Sequence, residues 1–459
     1  MEISETHFLI MMLTVVTVIC FGLYFARSIK SAEGYSLGGR SASVWLVAGS
    51  IAGTCVGGGA TVGTAQLAAV TGLSAWWFTF GVGISLIIMA FFYAKPLRCT
   101  SLETILQYLA LKYGDKAGTL AGIVSSVGIF LSAVASTLPG IGIISYLFGI
   151  PTVESAVLLL VLVALYGFFG GMKSAGMGGM LKMAIIWLTL FISGISAFHS
   201  VQMLPESGTV LTDFHWYSLW GEGVGITLAN LFSLIVGMIC TQTYIQAIFS
   251  AQDPQTASIG ALVAALIVIP VGLPCVTIGM YMHAAHPEVS PLLALPVFLL
   301  KYQPLIVGSV AMGGILLSLI SSIAGLSLGI GTMISRDILP HAKESGTLLR
   351  TRMVVLAVIL LAAIVAVMNK DSQVLLWNYM SMDLRGGGIF LPLTLTIFRQ
   401  HAVGSHCAIL SMTISTAVAV IAAIVDSPVP PLFIGLGTSF LFLAAGYITH
   451  HGEAGLSAR

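Results

Sequence analysis

The sequence predicts an all-α, polytopic membrane protein with thirteen transmembrane helices and no soluble domain. Three observations lead there: a composition too apolar for water, a regular series of apolar windows, and a lopsided distribution of basic residues. Lys, Arg, Asp and Glu supply 8% of the 459 residues, hydrophobic residues supply 57%, and the mean hydropathy is +1.03. A typical soluble domain carries about 25% charged residues. Soluble enzymes, nucleic-acid binders and disordered chains are therefore excluded. The net charge of +1 points to no acidic partner. Cys20, Cys55, Cys99, Cys240, Cys275 and Cys407 are scattered without a CxxC pair. They read as small core residues rather than a disulfide framework or a metal site.

A helix crosses the bilayer core with about 20 mostly apolar residues. That window places spans at 8–26, 44–70, 75–93, 117–148, 153–169 and 177–198, then at 224–249, 257–282, 306–334, 353–368, 374–398, 407–425 and 432–448. The first run follows Glu2 and Glu5 and precedes Arg27 and Lys30, so it reads as a retained span and not as a signal peptide. With the N-terminus outside, the inner loops and tail hold Arg27, Lys30, Arg40, Lys95, Arg98, Lys112, Lys116, Lys173, Arg336, Lys343, Arg350, Arg352, Arg399 and Arg459. The outer loops hold only Lys301 and Lys370. Fourteen against two is a strong positive-inside bias. It predicts an outside N-terminus and a cytoplasmic C-terminus, in a chain compact enough for a bacterial inner membrane. The long outer loop at 202–222 carries Glu206, Asp213, Glu222, His215, Trp216, Tyr217 and Trp220, and its aromatics read as an interfacial belt.

Two spans break the rules of an ordinary membrane helix. The second contains Thr54-Cys55-Val56-Gly57-Gly58-Gly59-Ala60-Thr61. Each glycine weakens a helix by roughly 1 kcal/mol relative to Ala, and lipid offers no water to an unwound backbone. Such a segment is either a break beside a cavity or a site of close helix packing through small residues. The ninth span carries Ser318, Ser321 and Ser322, spaced i, i+3 and i+4, so three hydroxyls share one face. They either supply oxygens to a hard cation or bond back to the preceding turn.

Taken together, the two segments fit a secondary-transporter design, in which unwound carbonyls of one helix meet side chains of another at mid-membrane depth. The pattern divides the chain into an extra helix and first cytoplasmic loop at 1–43, a five-span block at 44–201, and an extracellular loop at 202–223. A second, inverted five-span block follows at 224–398, then two helices and a tail at 399–459.

Further short motifs occur in order along the chain. They are Tyr35-Ser36-Leu37-Gly38-Gly39-Arg40, the Gly-rich second span, Gly170-Gly171-Met172, Gln242 followed by Ser250-Ala251-Gln252-Asp253, and the triple serine running on to Ser335-Arg336-Asp337-Ile338. In joint order and spacing they resemble the sodium/solute symporters, which include the sodium–glucose, proline and sialic acid carriers. The resemblance implies a leucine-transporter-like five-plus-five inverted-repeat core and a sodium site. It implies that the carbonyls of Gly53 and Val56 and the side chains of Ser321 and Ser322 hold the ion, with the carbonyl of Ser318 contributing in some members. One departure bears on stoichiometry. Gly179 stands where many members carry an Asp, and Ala324 and Gly325 replace the serines of a second sodium site. One coupled sodium is therefore expected, not two.

The substrate-cavity candidates follow from position in that fold. They are Gly58, Gly59 and Thr61 in the broken span, Thr241, Gln242 and Gln246 in the seventh, and Asp383 and Arg385 in the eleventh. A charge at a helix centre costs about 2.5–3.5 kcal/mol on insertion scales and tends to be functional. Arg385 suits a substrate carboxylate because its planar fork matches one. Glycines 386–388 offer the deformation that would let Asp383 and Arg385 pair instead. Lys182, one to two turns into the sixth span, either snorkels to water or acts as a fixed cation in place of a sodium or in a proton step.

The expectation is a sodium-coupled symporter that imports a small carboxylate or amino-acid-like solute by alternating access. A proton-coupled transporter of the same fold and a non-transporting membrane sensor are the alternatives. An enzyme is not expected: the ten histidines lie almost entirely in loops and tails, with no HExxH pattern. The partners expected are the solute and the lipid bilayer, without nucleic acid, and no residue pattern speaks to oligomeric state.

Overall fold

The computed structural model describes residues 4–27, 31–204, 214–339, 344–399, 402–425 and 427–457. Glu2, Lys30, Glu206, Asp213, Lys343 and Arg459, all used above, lie outside them. The described elements are helices, and a single β-type bridge joins Ala42 to Ala251. Among the described residues, ten helices are long and apolar enough to cross a membrane, or eleven when the bent pair Val224–Ile239 and Gln242–Ser250 counts as one span. Two of the thirteen expected spans fall outside that count. The second is broken, so its first half, Val44–Cys55, is too short alone. The eleventh, Val374–Phe398, is continuous but carries Asp383 and Arg385.

The boundaries differ from the apolar windows where helix extends beyond lipid-like sequence. The sixth span starts at Gly171, not 177, because Gly171 takes φ +75° and turns the chain straight from the fifth helix into Gly171–Gln202. The tenth is a full-length Glu344–Met368 rather than a short span, since its polar first turns are helical too. Hydropathy reports what tolerates lipid; it does not report where helical hydrogen bonding stops.

The break in the second span has a clear local geometry. Ser43 caps Val44–Cys55, and its hydroxyl accepts from Leu46 N at 3.4 Å. The helix stops at Val56, whose ψ of 75° turns its carbonyl off the axis. A wide turn, Gly59–Gly63, then restarts the helix, which runs on as Thr64–Thr71. The seventh span repeats the device at Cys240 and Thr241 with a 46° bend.

Small residues bring the sixth span against this break. A Cβ on Gly49 would collide with the Gly176 carbonyl oxygen, and one on Gly179 with the Gly49 carbonyl. One on Gly53 would lie 2.8 Å from Gly179 Cα. The two backbones therefore touch directly, as small-residue interfaces in membranes allow. The outer aromatics do not form a simple belt. Trp216 is buried against Gly72, which needs its φ of +69° to pass that backbone, while Tyr217 and Trp220 stay half exposed. Cys20 and Cys99 are exposed, contrary to the expectation that all six cysteines are core residues.

Gly49→Ala forces a methyl into the seam between second and sixth spans. Overpacking of this kind costs about 1–3 kcal/mol, so the purified variant should unfold several degrees below the wild type in a thermal melt. Gly225→Ala, where an added Cβ meets open space, should show no comparable drop.

Candidate functional site

The broken second span and the ninth span, Leu305–Met333, face each other through oxygen atoms. Helical continuity ends at Val56, so the carbonyls of Gly53, Thr54 and Val56 are released from the ordinary helical ladder. Ser318 donates to Val56 O, Ser321 to Gly53 O at 3.3 Å, and Ser322 to Thr54 O at 2.8 Å. Gly53, Val56, Ser318, Ser321 and Ser322 thus converge. Ser318 takes part through its hydroxyl, and the Thr54 carbonyl belongs to the same group although no motif marked it. Ser136 of the fourth span approaches Ser322 Oγ at 3.4 Å.

The cage is not free of charge. Lys182 is buried, 1% exposed, and does not snorkel. Its ammonium donates to Gly53 O, to Val56 O at 3.2 Å and to Ser321 Oγ at 2.7 Å. Of the expected metal ligands, Gly53, Val56 and Ser321 therefore meet a lysine in this conformation, while Ser318 and Ser322 donate to backbone carbonyls of the break. No group of three or more His, Cys, Asp or Glu able to hold a metal ion occurs among the described residues. A cation at this break would meet neutral oxygens.

Beside Ser322 lies a small cavity of about 20 Å³, room for one water molecule. Thr54, Cys55, Gly57 and Gly59 line it from the break, Phe78 and Val82 from the third span, and Ser132 and Ser136 from the fourth. Met238 and Tyr244 of the seventh span and Asn378 and Met382 of the eleventh complete it, with Ser322 and Leu326 from the ninth. Among the expected substrate residues only Gly59 is in this wall. Gly58 packs on Pro139 and Ser136, and Thr61 bonds back to Gly57 O at 2.9 Å. Thr241 bonds back to Gly237 O at 2.7 Å.

Gln242 and Gln246 hold backbone instead. Gln242 donates to Glu103 O at 3.0 Å and accepts from Ile105 N at 2.9 Å. Gln246 donates to Ser36 O at 2.7 Å and to Thr332 Oγ1 at 3.2 Å. They belong to a latch around residues 101–104 that also includes the Arg336–Glu103 ion pair at 3.0 Å and the Thr104–Asp337 hydrogen bond at 2.6 Å. Burial raises the Glu103 carboxyl, while Arg336 and Arg40 pull it back.

Asp383 and Arg385 do not pair. The glycines after them leave the helix regular and serve packing: a Cβ on Gly386 would strike Val236, and one on Gly388 would strike Thr416. Asp383 sits by Ser233 with Oδ1 unpartnered among the described residues. Arg385 is fully buried behind the cavity wall. It donates to Ser381 O at 3.0 Å, Ser381 Oγ at 2.9 Å and Ser132 Oγ at 3.4 Å, and touches Met382 Sδ at 3.0 Å. Its Nη1 has no partner among the described residues.

Comparison with known proteins places the chain in a family and a fold. The profile of the sodium:solute symporter family matches residues 35–415. The human high affinity choline transporter 1 is 25% identical over 338 residues, covering 67% of this chain and 56% of the transporter. The chain thus spans little more than half the length of that transporter. An uncharacterized symporter, YodF, from Bacillus subtilis (strain 168) is 28% identical over 220 residues, covering 43% of this chain and 41% of its own. Among solved structures, a Na+-coupled sialic acid symporter in a substrate-bound outward-open state superposes with a TM-score of 0.81 at 15% identity, covering 98% of both chains. That match shows a leucine-transporter-like fold.

Gln242→Leu would strand the Ile105 amide and the Glu103 carbonyl, at about 1–3 kcal/mol. A thermal melt should show the loss, while KM for transported solute stays within about twofold of wild type because Gln242 does not line the cavity.

Proposed function

The chain belongs to the sodium:solute symporter family, and we propose that it is a sodium-coupled symporter that imports a small organic anion by alternating access. It is an integral membrane protein of a transporter family, not an enzyme. In this reading the chain lies in a bacterial inner membrane with its N-terminus outside. The block at 44–201 and its inverted counterpart at 224–398 move against each other around the cavity. Sodium takes the neutral oxygens between the second and ninth spans, as unwound carbonyls and hydroxyls take coupling ions in such folds. Sodium drives the cycle because it favours the conformation in which those spans are joined; an ion indifferent to the two states would shift nothing.

One observation carries the substrate class. Arg385 is buried, its Nη1 is unpartnered among the described residues, and none of its hydrogen-bond partners there is a carboxylate. An uncompensated buried charge is costly. A carboxylate that enters the cavity when it opens compensates it across Ser132, which is both cavity wall and an Arg385 partner. Lys182 adds a second positive charge on the side of the cage. A quaternary ammonium, such as choline, would be a third cation in the same low-dielectric space.

Arg385→Met should therefore cut carboxylate uptake at least about tenfold in proteoliposomes with a sodium gradient, while the protein still purifies as a monodisperse species. Saturable choline uptake by the wild type, undisturbed by small carboxylates, would overturn the anion assignment. Ser321→Ala combined with Ser322→Ala should abolish sodium-dependent uptake without lowering expression; unchanged sodium dependence would remove the proposed ion site.

A further inference from the structure

Lys182 lies about three turns into Gly171–Gln202 and one to two turns past the start of the apolar stretch at 177, a depth from which a lysine stem can snorkel toward water. It turns inward, and its side chain is buried at 1% exposure. An ammonium has three N–H donors and no acceptor. Here three acceptors receive it: Gly53 O, Val56 O at 3.2 Å and Ser321 Oγ at 2.7 Å. No carboxylate is among them. These are the same lone pairs that a sodium ion at the break would need.

The surroundings leave no provision for two cations at once. Gly179, one turn before Lys182, faces the Gly49 carbonyl so closely that a Cβ collides, so no acidic side chain fits there to balance a second charge. A Cβ on Gly325 would lie 2.6 Å from Thr54 Oγ1, which closes the opposite side to added ligands. Two like charges within one set of neutral oxygens repel strongly where water is excluded.

We infer that the Lys182 ammonium is a tethered cation that occupies the cage in place of sodium, so that ammonium and sodium are mutually exclusive there. The inference rests on the sodium-coupled reading for its biological meaning but not for its geometry. In the unloaded carrier the ammonium ties the sixth, second and ninth spans together through Gly53, Val56 and Ser321. Sodium gains the cage only when the lysine side chain has swung out of it. A neutral side chain at position 182 leaves the oxygens open.

The test is a sodium titration of purified, detergent-solubilised protein, read as thermal stabilisation against N-methyl-D-glucamine chloride at equal ionic strength. Lys182→Met should reach half-maximal stabilisation at a sodium concentration at least about tenfold lower than wild type, and adding Ser321→Ala to it should erase the gain. If Lys182→Met does not purify, Lys182→Gln makes the same comparison with a neutral, hydrogen-bonding chain. Superimposable titrations for wild type and variant would overturn the inference, as would a variant blind to sodium. Sodium-independent solute uptake by the wild type, beside a sodium-responsive Lys182→Met, would refute sodium coupling while supporting the tethered cation.

Discussion

A helix interrupted inside a bilayer must find donors for the carbonyls it releases, because lipid supplies none. Much of the architecture around the second span answers that constraint. The chain gives up helical continuity at Val56, and three serines on one face of the ninth span take up the exposed oxygens. The lysine on the sixth span takes up two of them again. What results is a joint between three spans made from polar contacts in an otherwise apolar core. Polar joints of this kind are stable while satisfied and costly when half satisfied, which makes them suited to a junction with two discrete states.

The opposite end of the core is held differently. Gln242 and Gln246 follow the bend in the seventh span, and they clamp backbone from the loop at 101–104 and from the segment after the first span. Arg336 and Asp337 at the end of the ninth span reach the same loop. The two broken helices thus play unequal parts: one offers carbonyls to the ninth-span hydroxyls and the Lys182 ammonium, the other fastens loops with amides. With the latch made and the cavity reduced to about 20 Å³, this conformation leaves no room for a solute beside the break.

The membrane class and the order of the spans could be read from composition and hydropathy, and i, i+3, i+4 spacing put Ser318, Ser321 and Ser322 on one face; that this face meets the glycine break was implied only by the transporter design and the family resemblance. What escaped was set by contacts between distant segments. Nothing local told that Lys182 would turn inward, because a lysine one to two turns into an apolar stretch can also snorkel; what draws the sixth span onto the second is the pair Gly176 and Gly179, whose missing side chains let the backbones meet. Thr61 and Thr241 looked like cavity hydroxyls and instead satisfy their own preceding turns. The pairing of Asp383 with Arg385 that a glycine-deformed helix would have allowed does not occur, because the helix stays regular and the glycines after them serve neighbouring helices. Phe78, Ser132 and Asn378 carry no motif at all and enter the cavity wall only through tertiary placement.

The seam between Gly49, Gly53, Gly176 and Gly179 has one more consequence. Backbone rests on backbone there, and the side chains of Leu46, Ser50 and Met180 fill the hollows that the glycines leave, so the two rods are keyed in register rather than merely touching. Lys182 lies just beyond Gly179 as a strap across the same keyed joint, so a change at the cage is felt along the whole seam.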